Sequence, residues 1–152
     1  MTEATSTIRT ATEADLSAVL DLYADTGLDD GVRLPLETAR ELFARFARYP
    51  GYRLFVAEDA TGAVCASYAL LIMDNIAHIG APLAIVEQVA VAGSHRGQGL
   101  GTLMMHHAMA LSRAAGCYKL ALSSNIKFEQ AHAFYEKLGF QRHGYSFVVE
   151  LG

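Results

Sequence analysis

The sequence predicts a mixed α/β (α+β) fold, with a mostly antiparallel central sheet flanked by helices on both faces. Three observations predict it. Apolar residues make up 52% of the 152 residues, which suffices for a single domain, 1–152, with a buried core. Helical and strand periodicities follow one another in the order β α α β β β α β α β. A short turn joins two central strands, and helices separate the later ones.

The first half of the chain predicts one strand, two helices and a hairpin. The predicted segments are a strand at 6–12, helices at 13–25 and 36–50, and hairpin strands at 52–59 and 63–74. Thr12 and Asp15 have the spacing of a capping box, with Asp in place of Glu. Pro50 ends the second helix, and the turn DATG at 59–62 closes the hairpin.

The second half predicts strands and helices in alternation. The predicted segments are strands at 83–91 and 117–124, a terminal strand or hairpin at 140–151, and helices at 99–115 and 128–138. Gly116 and Gly139 directly follow the two helices, at the position where a glycine ends many helices. Residues 75–82 show no regular pattern and predict an irregular connection.

Charge and cysteine content narrow the possible partners. The formal net charge is -4, which argues against a general nucleic-acid-binding protein. Cys65 and Cys117 lie in apolar, strand-like contexts and are predicted to be buried, reduced thiols. The N-terminus shows no basic apolar signal, and no apolar run is long enough to cross a bilayer. We therefore expect a cytoplasmic protein that binds neither nucleic acid nor membrane.

Three glycines and an arginine occupy the connection before the third helix: Arg96, Gly97, Gly99 and Gly101. Glycine permits positive φ and lets a ligand approach the backbone closely. The unpaired N–H groups at a helix N-terminus attract phosphate. A P-loop would need a lysine before Thr102, and a dinucleotide fingerprint would need a glycine in its place. The remaining pattern is R-x-x-G-x-G.

A second motif, AHAFYEKLGF at 131–140, lies downstream of this loop. Together the two motifs resemble the GNAT superfamily of acetyl-CoA-dependent N-acetyltransferases, whose signature is an apolar strand, [Q/R]-x-x-G-x-[G/A] and a helix. The resemblance covers most of the chain and is densest over 83–146. It implies a GNAT-like sheet, acetyl-CoA as co-substrate, no metal, and direct attack of an amine on the acetyl group in a ternary complex.

The resemblance also implies which residues hold coenzyme A. The loop amides would bind its pyrophosphate, and the backbone of the preceding strand would pair with its pantetheine arm. The implied residues are Val89, Ala90, Val91, Arg96, Gly97, Gln98, Gly99, Leu100, Gly101 and Asn125. The Val91 amide is the implied oxyanion donor. Phe128 stands where many relatives carry asparagine, so Asn125 either reaches coenzyme A or Tyr135, or only caps a helix.

Two side chains are predicted to carry the chemistry. By resemblance, Tyr135 is the general acid for the departing thiolate, because a phenol stays protonated at neutral pH. Glu87 is the candidate base, since a carboxylate in an apolar strand is costly to bury without a reason. Strand alternation predicts Glu87, Val89 and Val91 on one face. Alternatively, Glu87 is exposed or salt-bridged without a catalytic role, and Gln88 contacts the substrate.

The histidines predict an acceptor contact rather than a metal site. His106 and His107 are adjacent on a helix and point about 100° apart, which is poor geometry for chelation. His78, in the irregular segment before strand 83–91, either lines the acceptor pocket with Tyr68 and Asp74 or is a surface loop residue.

Two stretches resemble small-amine members of the superfamily, such as aminoalkylphosphonate and glucosamine-6-phosphate N-acetyltransferases. This resemblance implies a small acceptor with a primary amine and an anionic group. The alternatives are an N-acetyltransferase acting on a peptide or protein and a non-catalytic acyl-CoA-binding module. Members of the superfamily often form homodimers, so a homodimer is an expectation carried by the resemblance alone.

Overall fold

One five-stranded sheet organises the part of the chain that the computed structural model describes, residues 5–152. The strands are β1 (Thr7–Thr10), β2 (Tyr52–Glu58), β3 (Val64–Met73), β4 (Leu83–Val91) and β5 (Leu120–Ala121). They neighbour one another in chain order. The first four pair antiparallel, whereas β5 runs parallel to β4. The predicted mixed, mostly antiparallel sheet is confirmed.

Four α-helices accompany the sheet strands along the described chain. They are α1 (Leu16–Thr26), α2 (Leu36–Arg45), α3 (Leu100–Ala114) and α4 (Glu129–Lys137). Short 3-10 turns cover Glu13–Asp15, Phe46–Arg48, His78–Gly80 and Gly93–His95. Among the described residues, no helix is both long and apolar enough to cross a membrane. The chain divides into two units, one up to Ala121 and one from Leu122 to Gly152.

The predicted capping contact at the first helix is present. The Thr12 N–H donates to Asp15 Oδ2 at 2.7 Å. Arg9 donates to both oxygens of the same carboxylate, at 2.6 and 2.8 Å. Arg9, followed by the Thr12 hydrogen bonds, lowers the pKa of Asp15 to about 2. The carboxylate therefore stays ionised and fixes the chain between β1 and α1.

Side-chain alternation in the sheet explains why helices cover both of its faces. On one face, Leu54, Val56 and Ala69 share a buried cluster with residues of α1 and α2. On the other, Phe55 stacks on Tyr68 with ring centroids 5.2 Å apart. Both of these rings lie near His107 of α3, which covers that face. The predicted helical layers on both faces are confirmed for this unit.

Two predicted strands differ from the structure. Residues 117–124 form a strand only at Leu120–Ala121, where β5 pairs with the first half of β4. The predicted strand or hairpin at 140–151 is wrong, because no strand forms there. Its alternating apolar residues fit a strand, but a strand also needs a backbone ladder with a neighbour. Four of its side chains are largely exposed: Tyr145 92%, Phe147 91%, Val149 77% and Leu151 94%.

The two cysteines are free thiols with different surroundings. Cys65 is buried, as predicted, and its Sγ lies 3.4 Å from the carbonyl oxygen of Ala57. Cys117 is partly exposed, so its predicted full burial is wrong. Burial raises the pKa of both thiols. Neither cysteine is therefore in the electropositive setting that makes a thiol reactive.

Candidate active site

The glycine loop, residues 96–101, connects β4 to α3 and depends on left-handed backbone. Gly97 has a φ of 75° and Gly99 a φ of 79°. An added Cβ at either position would meet no further atom of the described chain within 4 Å. Backbone conformation rather than internal crowding therefore requires glycine at these two positions.

The start of α3 offers unpaired donors beside this loop. Gly99 is the N-cap of α3, so no side chain caps the first-turn N–H groups, and that turn carries no acidic residue. The unpaired N–H groups give the helix N-terminus a partial positive charge. Arg96 is exposed just before these amides and adds a forked donor that matches phosphate oxygens. Uncapped amides beside a guanidinium are donors that suit a diphosphate, and the coenzyme A site at this loop stays a prediction.

A hydrogen-bonded chain fixes the residues that precede the glycine loop. His95 Nε2 lies 3.0 Å from Asp59 Oδ2, and Ser94 Oγ lies 2.8 Å from His95 Nδ1. The other Asp59 oxygen accepts from the Thr61 N–H and hydroxyl. These Thr61 bonds, with a smaller part from His95, lower the pKa of Asp59 to about 2. The Asp59 carboxylate can only accept a hydrogen bond. In neutral His95 the proton is therefore on Nε2, and Nδ1 accepts from the Ser94 hydroxyl.

A β-bulge interrupts β4 at the other end of the candidate site. Ser67 of β3 lies opposite Ala90, whereas Ala69 lies opposite Glu87. Two residues of β4 therefore oppose a single residue of β3, which defines a bulge. Gln88 lies within it and has a φ of 49°, in the left-handed region that glutamine seldom adopts.

The bulge overturns the predicted alternation along β4. The sequence predicts Glu87, Val89 and Val91 on one face. In the structure, Glu87 and Ala90 oppose β3 residues two positions apart, so these two share a face. Val91 lies on the opposite face. The prediction is wrong because one extra residue shifts the alternation of everything that follows it.

The hydrogen-bond pattern after the bulge gives the direction of the Val91 amide. The Ala92 N–H donates to the Cys65 carbonyl at 2.8 Å, so the Ala92 N–H points toward β3. Val91 and Ala66 are the neighbouring pair, and alternation directs the Val91 N–H away from β3. Within residues 5–152, β5 pairs with that edge of β4 only near its start. This orientation supports the predicted pairing with a pantetheine arm.

Polar groups from two strands meet beside the bulge. The Tyr52 hydroxyl donates to Gln88 Oε1 at 3.1 Å. Glu87 is exposed. Partial burial of Tyr52 raises the pKa of its hydroxyl, and the negative charge of Glu87 raises that pKa further. Burial, followed by the neighbouring Tyr52, raises the pKa of Tyr23 to about 12. The exposed state of Glu87 agrees with one predicted alternative and leaves the carboxylate accessible to an amine.

His78 occupies a strained turn, and Tyr68, one of its predicted neighbours, does not line a pocket with it. His78 and Ile79 have φ values of 54° and 59°, and the His78 ring stacks on Tyr118 with centroids 4.0 Å apart. Tyr68 is fully buried, and its hydroxyl lies 2.6 Å from His107 Nδ1. It lines no open pocket, so the predicted grouping of Tyr68 with His78 is wrong.

Tyr135 lies in the second unit, on α4. Its ring is half-buried and packs against Phe134 and Phe140, with centroids 5.3 and 5.7 Å away. Burial raises the pKa of Tyr135. The phenol therefore keeps its proton throughout the neutral range, as a general acid requires.

Asn125 closes a turn ahead of α4. Its Oδ1 accepts from the Lys127 N–H at 3.0 Å, and its carbonyl accepts from the Phe128 N–H. The N-cap of α4 is Phe128, which makes no side-chain cap. Asn125 thus caps the turn before the helix rather than the helix itself.

In the part of the chain described, no three His, Cys, Asp or Glu side chains are grouped to hold a metal ion.

Comparison with known proteins identifies the family. Residues 50–142 match the family model described as "Acetyltransferase (GNAT) domain". The chain belongs to the GNAT acetyltransferase family. The resemblance to this family that its two motifs carry is confirmed.

Individual relatives agree with this family. A glucosamine 6-phosphate N-acetyltransferase of Trypanosoma brucei brucei is 39% identical over 83 residues, covering 55% of this chain and 54% of that protein. The match therefore spans about half of that relative. A crystal structure of a Trypanosoma brucei acetyltransferase has a TM-score of 0.83 at 30% identity, covering 97% of this chain and all of that one. Glucosamine-6-phosphate N-acetyltransferase from Arabidopsis thaliana shares the fold, with a TM-score of 0.83 at 21% identity and coverage of 97% and 99%.

Sequence reasoning missed two side-chain contacts beside the candidate site. Tyr52 opens a strand and reads as an ordinary aromatic residue, yet its hydroxyl holds Gln88. Asp59 reads as a turn residue, yet its second oxygen contacts His95. The only available signal was the position of His95 next to the glycine motif, because both partners are distant in sequence.

Proposed function

We propose that this acetyltransferase acetylates the primary amine of a small phosphorylated molecule, with glucosamine 6-phosphate as the first candidate acceptor. The observation that carries the proposal is the 39% identity over 83 residues with the trypanosomal glucosamine 6-phosphate N-acetyltransferase. Fold similarity alone does not choose an acceptor, because one fold serves many substrates.

The first part of the proposal concerns acetyl-CoA. Its diphosphate would lie against the amides of Gly97 to Gly101 and the Arg96 guanidinium, where uncapped donors face no carboxylate of the first turn. Its pantetheine arm would pair with the Val89–Val91 backbone. The bound thioester supplies an activated carbonyl. The Val91 N–H, directed away from β3, is a donor of the kind that stabilises negative charge on a carbonyl oxygen.

The second part concerns the amine, which must be neutral before it attacks. Glu87 is exposed beside the bulge and carries a carboxylate that can take this proton, directly or through water. Gln88 lies next to Glu87, and the Tyr52 hydroxyl donates a hydrogen bond to Gln88 Oε1. The Gln88 amide N–H groups remain the donors that this side chain can offer to an acceptor.

The third part concerns the leaving thiolate. Tyr135 carries a phenol whose raised pKa keeps it protonated, so it can donate to sulfur. Asn125 remains a candidate contact of coenzyme A, although its side-chain oxygen already accepts from Lys127.

The decisive experiment is an acceptor screen with purified protein and acetyl-CoA, following release of free thiol. The panel contains glucosamine 6-phosphate, glucosamine, an aminoalkylphosphonate and a peptide with a free N-terminus. We expect glucosamine 6-phosphate to give the highest kcat/KM, at least ~10-fold above glucosamine, because the phosphate adds charge-assisted hydrogen bonds.

The other outcomes contradict specific parts of the proposal. A peptide that outperforms every small amine would favour the predicted alternative, a peptide or protein N-acetyltransferase. Tight binding of acetyl-CoA with no thiol release for any acceptor would favour a non-catalytic acyl-CoA-binding module. Equal rates with glucosamine and its 6-phosphate would remove the phosphate from recognition.

A homodimer is a further part of the proposal, and the cytoplasmic location stays a prediction from the sequence. Tyr145, Phe147, Val149 and Leu151 expose an apolar segment, which is typical of a surface that contacts another protein. We expect light scattering to give a dimer mass for the wild type and a monomer mass for Phe147→Lys combined with Val149→Lys. A monomeric wild type would contradict the homodimer.

A further inference from the structure

Gln88 holds a backbone conformation that its residue type disfavours. Its φ of 49° is left-handed although it lies inside a β-strand. Residues other than glycine, asparagine and aspartate adopt this region seldom, and they persist there where the surrounding structure holds them. A specific contact is therefore expected to restrain Gln88.

Tyr52 provides that contact. Its hydroxyl donates to Gln88 Oε1 at 3.1 Å and so links the start of β2 to the bulge in β4, across β3. The Tyr52 ring packs edge-on against Phe46, with centroids 4.9 Å apart. The Tyr52 N–H donates to the Tyr49 carbonyl at 2.8 Å. Because both ring and backbone are anchored, the hydroxyl can restrain the side chain that it holds.

The chemistry of this contact requires a protonated phenol. Gln88 Oε1 only accepts, so Tyr52 must donate. Burial raises the pKa of Tyr52, and the negative charge of Glu87 raises it further. The hydroxyl therefore remains a donor throughout the neutral range.

The bulge controls the groups on either side of it. Glu87 precedes Gln88 directly, and the register after the bulge directs the Val91 N–H away from β3. We propose that Tyr52 is a positioning residue for acetyl transfer, which holds Gln88 left-handed and thereby aims the Glu87 carboxylate and the Val91 amide. The inference rests on the roles proposed for Glu87 and Val91, whereas the restraint itself rests on the Tyr52–Gln88 contact.

A double-mutant cycle tests this inference with Tyr52→Phe, Gln88→Gly and the double variant. The assay uses acetyl-CoA with the acceptor that the screen ranks first. Tyr52→Phe keeps the ring contact with Phe46 and removes only the donor. We expect it to lower kcat about five-fold with little change in the KM for acetyl-CoA. In the Gln88→Gly background the same change should cost less than about two-fold, because glycine adopts a φ of 49° unaided.

Hydrogen exchange of residues 85–92 without ligand gives a second readout that needs no activity. Tyr52→Phe should speed exchange after the bulge in the wild-type background and leave it unchanged in the Gln88→Gly background. Tyr49→Phe is the matched control, since Tyr49 is 58% exposed and lies three residues from Tyr52. It should alter neither kinetics nor exchange.

The outcomes separate the two levels of the inference. Equal losses in both backgrounds, or unchanged kcat with Tyr52→Phe, would overturn the positioning role. Unchanged exchange would overturn the restraint. Faster exchange in a protein that acetylates no acceptor would show that the restraint holds while the proposed function, and with it the positioning role, fails.

Discussion

The glycine loop and the bulge reach left-handed backbone by different physical routes. In the loop, Gly97 and Gly99 adopt positive φ because their residue type permits it. In the bulge, Gln88 adopts positive φ against its residue type and is held by a side chain from β2. A conformation encoded locally survives loss of a neighbour, whereas one imposed by a contact depends on it.

The two regions also divide the proposed work. The loop presents uncapped amides and an arginine, which suit binding of a diphosphate. The bulge presents a carboxylate and sets the direction of a backbone N–H, which suit the chemical step. Variants of the loop should therefore change affinity for acetyl-CoA, and variants of the catalytic side chains should change kcat.

The largest effect is expected from Gly99→Glu in the loop. The new carboxylate would stand at the N-cap of α3, where it repels a diphosphate and competes for the amides. We expect calorimetry to show acetyl-CoA affinity at least ~100-fold weaker, or about 3 kcal/mol. Gly116→Glu is the matched control, since Gly116 has a φ of 78° just past the opposite end of α3. Equal losses in both variants would mean that backbone strain, rather than charge at the loop, explains the result.

The next effect concerns Glu87, beside the bulge. Glu87→Gln keeps the shape of the side chain and removes its ability to take a proton, so kcat should fall roughly 100-fold. The Kd for acetyl-CoA should stay within about two-fold, because the loop is untouched. Glu41→Gln, an exposed change on α2, is the control. An unchanged kcat would favour the alternative in which Glu87 has no catalytic role.

The contrast between the glycine loop and the bulge also explains how much of the candidate site the sequence predicts. Gly97 and Gly99 predict the loop, because glycine is the residue that left-handed backbone favours. Gln88 gives no such signal, so the bulge and the reversed faces of Glu87 and Val91 were not predictable from alternation. The side-chain contact at the bulge joins Tyr52 to Gln88, 36 residues apart, and so leaves no local signal.

The strands also show that the sequence predicts local structure better than tertiary pairing. Strand β4 matches its predicted bounds of 83–91, because an apolar run that follows Pro82 and ends just before Ala92 and Gly93 is a local signal. The failed strand at 140–151 has the right composition and lacks a pairing partner in the described chain. Pairing is a tertiary property, and composition reports only the capacity for it.

Tyr135→Phe should lower kcat at least ~10-fold while acetyl-CoA affinity stays nearly intact, because only the proton donor is lost. Burial raises the pKa of Tyr135, so the donor disappears only as pH rises through a value above its ordinary ~10. The wild-type alkaline limb of kcat should accordingly lie above that pH and vanish in the variant. Tyr49→Phe, at a residue 58% exposed, is the control. A rate equal to that of the wild type would exclude Tyr135 as the acid.

The smallest effect is expected where side chains support the loop. In Asp59→Asn, Oδ1 can still accept from Thr61, while an amide replaces the oxygen that faces His95. The turn should persist, and the link to the loop should be lost. We expect the KM for acetyl-CoA to rise roughly two- to five-fold at unchanged kcat, because a single partly buried hydrogen bond beside the loop is lost. Asp30→Asn, in an exposed loop, is the control.

A fall in kcat with Asp59→Asn would break the division between binding and chemistry, because it would mean that the glycine loop also places the thioester. An unchanged KM would carry a different meaning. It would show that Gly97 and Gly99 hold the loop in its binding conformation without the His95 contact, as their residue type alone allows. The loop would then differ from the bulge more sharply, since no side-chain contact would support its left-handed backbone.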